Sequence, residues 1–450
     1  MNPIVILIIG VTLLIAMIIV LRVNAFIALI TAAIIISLLA PGDFAGKVSR
    51  VAEAFGSVVG AIGIVIALAT VIGKCLMDSG AADRIVRSFL KALGEKRASM
   101  ALMGSGFVLS VPVFFDTVFY LLVPLARSFW RGTQKNYVLY LTAIVAGAGI
   151  THTLVPPTPG PLFMANRFGI DLGVMMGMGL LVGLPTAALG LLVCKLINRF
   201  VDIPMRPYAG EAEPEPLDDD QLPGFWTSFA PIILPVILIS MKTVTNALAE
   251  GTLIAQIAAV LGNPNLALLL SAAIAMFVLV RSRGLSLKEL SGKMDTALMS
   301  GGIIILITAG GGAFGAMLRA AGVQDAVKGF VDTEGQGLGL AILLLAFAVS
   351  SVIKFAQGSG TVAMITTASM FAAMGISEEM LGCHLVYLAM AIGGGSLVGD
   401  WMNNSGFWIF ARMGGLTEIE TLKSWTILTA ALGLITLAFT LLFASILPLV

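Results

Sequence analysis

Apolar blocks of roughly 18–25 residues, such as Pro3–Leu21 and Trp425–Leu447, recur along the whole chain. At about 1.5 Å per residue each is long enough to cross a hydrocarbon core of ~30 Å. Backbone in lipid must satisfy its own hydrogen bonds, so these blocks dictate membrane-spanning helices. Composition agrees, because 11% of the 450 residues are charged where a soluble domain carries roughly a quarter. A net charge of +1 and the lack of a long basic run exclude a nucleic-acid partner. Cys75, Cys194 and Cys383 lie in or beside apolar segments without CxxC spacing, which argues against a disulfide framework or a metal site; no cofactor is expected. The N-terminus has no cationic leader and reads as an uncleaved first helix.

Hydropathy places spans near residues 3–21, 23–40, 54–73, 137–155, 172–194, 228–248, 265–280, 299–318, 381–399 and 425–447. Two further apolar stretches are broken at their centres. Met100–Ala126 carries Pro112 and Asp116 and is flanked by Arg84, Arg87, Lys91, Lys96 and Arg97 before and by Arg127, Arg131 and Lys135 after. Both flanks belong on the cytoplasmic side by the positive-inside rule, which a single crossing cannot satisfy and a re-entrant hairpin can. Gly337–Gly375 breaks likewise at Gln357-Gly358-Ser359-Gly360. With both read as hairpins, every Lys and Arg falls inside except Lys47, Arg50, Arg167, Lys242, Arg319 and Lys328 outside and Lys354 in the membrane. Both termini then face outside.

An internal repeat follows. Gly73 and Gly80 with Asp83 share their spacing with Gly315 and Gly322 with Asp325, and each copy leads to a broken hairpin and a glycine-rich span, Gly147-Ala148-Gly149 or Gly393-Gly394-Gly395. One copy starts outside and the other inside, the signature of an inverted-topology transporter with its site near mid-membrane. The expected fold is all-α, about ten transmembrane helices plus two re-entrant hairpins in an inverted-topology repeat. The expected parts are an N-terminal helix pair (1–50), a first transport repeat (51–201), an acidic, proline-rich cytoplasmic linker (202–225), a connecting helix pair (226–295) and a second repeat with the C-terminal helix (296–450).

Four polar or glycine-rich segments interrupt the apolar sequence: Val111–Thr117, Thr151-His152-Thr153 running to Pro161, Gln357–Thr361 and Asp400–Gly406. Proline and glycine at membrane depth free backbone groups, and helix N-termini made at such breaks suit a carboxylate. The candidate substrate-binding residues are therefore Thr151, His152, Thr153, Thr158, Gln357, Gly358, Ser359, Gly360, Thr361, Asn403, Asn404 and Ser405. Asp116, His152, Lys354 and Asp400 are the groups available for proton coupling or charge.

Each has a structural alternative. His152 could tie helices together, Asp116 could cap the second hairpin helix, Lys354 could snorkel to the interface, and the asparagines could make ordinary interhelical bonds. Gly310, Gly312 and Gly315 fit GxGxxG with Glu334 about 20 residues on, but no strand precedes them, so close helix packing explains them, as also Gly56/Gly60 and Gly179/Gly183. His384 reads as structural.

Gly149-Ile150-Thr151-His152 leading to Pro156-Pro157-Thr158-Pro159-Gly160-Pro161, then Ala356–Ala363, then Asn403-Asn404-Ser405-Gly406-Phe407-Trp408, together resemble the gluconate permease family from the first span to the last. The resemblance implies proton-coupled import of gluconate or a related sugar acid across the bacterial inner membrane, with D-serine among relatives' substrates, and a two-repeat fold with paired hairpins. Thr158 stands where a second histidine is common in that family, and Trp401 with Asn404 where a histidine and an aspartate are common, which removes titratable groups. Sodium-coupled carboxylate or D-serine transport is the rival reading. A channel or membrane enzyme is disfavoured by the broken repeat and by the lack of HExxH, P-loop or GxSxG. The expected partners are a small organic anion, a coupling proton or sodium, and membrane lipid; a homodimer stays open.

Overall fold

A computed structural model describes residues 2–94, 97–201, 203–206, 218–249, 251–323, 326 and 338–449. Among these residues the regular elements are helices, and eight are long and apolar enough to cross a membrane. The protein is an all-α membrane protein.

Helices α1 (Pro3–Ile19) and α2 (Ala25–Leu39) form the expected N-terminal pair; Asn2 and Asn24 cap them by accepting from the N–H groups of Ile4 and Phe26 at 2.9 Å. The scaffold behind them is two long helices, α3 (Ser49–Ser79) and α13 (Leu287–Ala320), packed antiparallel. Lys293 Nζ donates to Asp78 at 2.7 Å, which fixes the end of α3 beside the start of α13. The glycines of the GxGxxG run do serve packing: a Cβ on Gly312 would lie 2.3 Å from Val58, and one on Gly311 2.0 Å from Ile365. Gly179 and Gly183 are crowded in the same way, whereas Gly56 and Gly60 have nothing within 4 Å. That corrects the packing expected of the last pair. Val58 of α3 is the residue that meets Gly312, and a residue two positions along a helix turns about 200° away, so Gly56 and Gly60 point off that contact.

The first broken hairpin follows α4 (Ala81–Leu93), an amphipathic helix absent from the sequence expectation. It comprises α5 (Ala98–Leu109) and α6 (Phe115–Thr133), interrupted at Pro112. Next come α7 (Tyr137–Leu154), α8 (Pro159–Phe168) and α9 (Leu172–Phe200). Helix α5 lies so close to α7 that a Cβ on Gly147 would sit 1.9 Å from the Met103 carbonyl oxygen. Between the halves stand α10 (Phe225–Leu248), a short α11 (Leu253–Leu261) that hydropathy did not suggest, and α12 (Pro264–Arg283).

The second hairpin is α14 (Leu338–Gln357) and α15 (Gly360–Ala373). After α16 (Glu378–Leu381), the span expected near 381–399 is a half-helix, α17 (Val386–Gly395). At its end Gly394 and Gly395 admit the backbones of Gly433 and Phe347, and Gly399 then takes φ +82°. The chain resumes as α18 (Ser405–Gly414), α19 (Glu418–Thr421), one π-helical turn and α20 (Ile427–Ile446). A Cβ on Gly339 would lie 1.9 Å from the Leu381 carbonyl, so the chain entering α14 meets the chain beyond the exit of α15. The second hairpin enters and returns.

The acidic linker is tied down at both described ends. Arg206 forms two 2.7 Å bonds to Glu420, and its carbonyl accepts from Arg127 of α6 at 2.8 Å. At the other end Arg84 of α4 donates to the Pro223 carbonyl at 2.7 Å, and Arg87 pairs with Asp219. The Arg87 guanidinium holds the Asp219 carboxyl below the usual carboxylate range. Both flanks of the first hairpin thus bind one segment. Residues 207–217 lie outside the described residues, as do Lys96, Asp325, Lys328 and Glu334 of the sequence analysis. Pro3 lies beside Gly322, at the end of α13 remote from Asp78 and the linker contacts, and His384 N–H binds Pro448 at 2.8 Å.

Candidate functional site

Four helices begin at the same place because four breaks converge there. Phe115 starts α6 and Pro159 starts α8, while Gly360 starts α15 and Ser405 starts α18. All four residues border one cavity of about 460 Å³. The N–H groups of a helix's first turn lack intrahelical acceptors and carry the positive end of its dipole, so the cavity faces four such ends. Its walls are completed by Ser300, Ile304 and Ile307 of α13, by Gly149 of α7, and by Trp425, Thr429 and Leu432 at the start of α20.

Of the expected residues, His152, Thr153, Ser359, Gly360, Thr361, Asn404, Ser405, Asp116, Lys354 and Asp400 line this cavity. Asp116 lies in the first turn of α6, whose N-cap Phe114 makes no side-chain cap bond. Lys354 does not snorkel: its side chain is 2% exposed and its Nζ lies 2.8 Å from Asp400 Oδ2. The same ammonium donates to the Gly358 carbonyl. Asn404 Nδ2 donates to both Asp400 oxygens, at 2.7 and 2.8 Å, while Asn404 Oδ1 caps α18 by accepting from Gly406 N–H. Ser359 caps α15 by accepting from Val362 N–H at 3.3 Å. His152 packs edge-on against Phe114, with ring centroids 5.9 Å apart, and its Nδ1 has no partner among the described residues.

Thr151, Thr158, Gly358 and Asn403 stand behind this wall. Thr151 is fully buried away from the cavity. Thr158 donates to the Val155 carbonyl at 2.6 Å, and Asn403 Nδ2 donates to the Phe355 carbonyl at 2.7 Å. Gly358 has φ +89°, and a Cβ there would lie 2.2 Å from the Asn403 carbonyl, so it shapes the break. Gln357 ends α14 and its side chain lies outside the description. Sequence reasoning missed Thr117, Ser300, Ser396 and Thr429 as lining residues; three of them sit in or beside helices without any polar cluster to mark them. His384 accepts from Val386 N–H at 3.0 Å, in keeping with a structural role.

A polytopic helical protein with broken helices whose N-termini meet around a cavity bearing charged and hydroxyl side chains is a membrane transporter, not an enzyme. The chain belongs to the family described as GntP family permease, whose model matches residues 2–446. It is 35% identical over 431 residues to a gluconate permease of Pseudomonas aeruginosa, covering 95% of this chain and 94% of the relative. It is 30% identical over 434 residues to the Gnt-II system L-idonate transporter of Escherichia coli, covering 96% and 97%. In three dimensions it resembles the Alcanivorax borkumensis YdaH transporter, with TM-score 0.65 at 14% identity over 94% of this chain and 98% of that one.

Proposed function

We propose that this protein imports gluconate or a closely related sugar acid by proton symport across the bacterial inner membrane. The observation that carries the reading is the convergence of four helix N-termini and one ammonium, Lys354, on a cavity of about 460 Å³ that also presents hydroxyls and an amide. Helix N-termini and an ammonium suit a carboxylate, and Thr153, Ser359, Thr361, Asn404 and Ser405 offer donors and acceptors suited to a polyol chain. The names of the relatives, gluconate permease and L-idonate transporter, point to the same substrate class. Asp116 and Asp400 are carboxylates in contact with the cavity, and either gives a proton somewhere to ride.

The paired packing supports a two-repeat reading of residues 51–201 and 296–450: α5 lies on α7 as α14 lies on α17, and α6 lies on α18 as α15 lies on α8. With the arginine-rich linker contacts placed in the cytoplasm, both termini face outside. Purified protein in liposomes, given separate proton and sodium gradients, tests the function. D-gluconate should accumulate under an inward proton gradient alone. Accumulation driven only by sodium, or of D-serine in preference to gluconate and L-idonate, would overturn it.

A further inference from the structure

Charge is the difficulty in this cavity. Its ionisable lining consists of Asp116 from α6, His152 from α7, Lys354 from α14 and Asp400 from the loop before α18. Two carboxylates therefore face one ammonium, and that ammonium is already engaged by Asp400 at 2.8 Å. Among the described residues, an anionic substrate entering this arrangement would find the one lysine of the lining already paired, and it would add a negative charge beside two carboxyl groups. Buried unpaired charge is strongly unfavourable, so one proton must enter with the anion.

The geometry selects where that proton goes. Were it on Asp116, the Lys354–Asp400 pair would stay closed and the substrate carboxylate would have no cationic partner. On Asp400 it dissolves the pair and frees Lys354. Asn404 is already placed to hold the departing carboxyl, since its Nδ2 reaches both Asp400 oxygens at 2.7 and 2.8 Å. Lys354 in turn is held at the hairpin break by the Gly358 carbonyl, next to the N-terminus of α15.

We propose, resting on the sugar-acid reading above, that substrate and proton are coupled by an exchange of carboxylates on Lys354, in which Asp400 leaves protonated and the substrate carboxylate takes its place. The proton comes from outer water and bonds an Asp400 oxygen as the ion pair opens. When the substrate leaves on the inner side, the proton passes to inner water and the Lys354–Asp400 pair re-forms. No other bond is made or broken. Asp116 takes no part in the exchange.

The test is the affinity of purified protein for D-gluconate from mildly acid to mildly alkaline pH. In the unaltered protein the affinity should fall about tenfold per pH unit above the pKa of the coupled group, as linkage to one proton requires. Asp400→Asn, which mimics the protonated carboxyl, should bind with an affinity independent of pH and should lose proton-driven accumulation in liposomes. Asp116→Asn should keep the pH slope. A slope retained in Asp400→Asn, or abolished by Asp116→Asn alone, would overturn the exchange. Should Asp400→Asn fail to fold, Lys354→Gln/Asp400→Asn removes both charges together; it should bind at least tenfold more weakly with no pH slope, and a retained slope or unweakened binding refutes the proposal. Failure of the unaltered protein to bind gluconate or L-idonate at any pH would instead sink the functional reading itself, and the exchange with it.

Discussion

Thr361→Val is the cleanest probe of the cavity. Thr361 is the second residue of α15 and lines the cavity, and its hydroxyl has no protein partner among the described residues. Valine keeps the β-branched shape, so the helix start is preserved, and the capping bond is made by Ser359 two residues earlier. What is removed is one hydroxyl at the helix end proposed to receive the carboxylate. A hydrogen bond to a charged group contributes about 1.5–3 kcal/mol, so affinity should fall by roughly ten- to a hundredfold with little change in melting temperature. Ser359→Ala removes a cavity hydroxyl and a cap at once, so it should show a similar loss of affinity and about 1 kcal/mol of destabilisation besides. Calorimetric titration with D-gluconate, paired with thermal unfolding in detergent, separates the two effects. Wild-type affinity in Thr361→Val would refute the placement of the substrate at this helix end.

Gly147→Ala should cost about 3 kcal/mol or abolish folded expression, because its Cβ would lie 1.9 Å from a backbone oxygen that cannot turn aside; unaltered thermal stability would show that α5 and α7 are not so closely packed. Deleting residues 210–214 of the acidic linker should leave uptake intact, since closure costs grow slowly with loop length, whereas Arg206→Ala should lower stability by about 1 kcal/mol by breaking its half-exposed two-hydrogen-bond ion pair with Glu420; uptake assays and melting curves on both variants decide this. Cysteines placed at positions 97 and 131 should label from the same face of the membrane, and labelling from opposite faces would refute re-entry of the first hairpin.

The breaks were legible because proline and glycine inside apolar sequence have few other uses. Pro112, the Pro156–Pro161 run, Gln357–Gly360 and Asp400–Gly406 all mark places where helices stop or start around the cavity. What could not be read was direction. Thr158 and Asn403 belong to the same polar segments as Thr153 and Asn404, yet they bond to nearby backbone carbonyls behind the cavity wall. Lys354 and Asp400 stand far apart in sequence, and only the folding of α14 against the α17–α18 break brings them to 2.8 Å. Ser300 and Thr429 were invisible for the opposite reason: each is one of several hydroxyls spaced along a long apolar helix, and which of them meets the cavity depends on packing. The short helices α4 and α11 fell below the length that hydropathy detects.

In the function proposed above, a sugar acid is held at the meeting point of the four helix N-termini. An experimental structure of the protein with D-gluconate bound tests it most directly. The carboxylate should lie against Lys354 and the start of α15, with the polyol chain reaching toward Thr153, Asn404 and Ser405. Density for the sugar acid at any other place in the molecule, with this cavity holding only water, would contradict the account.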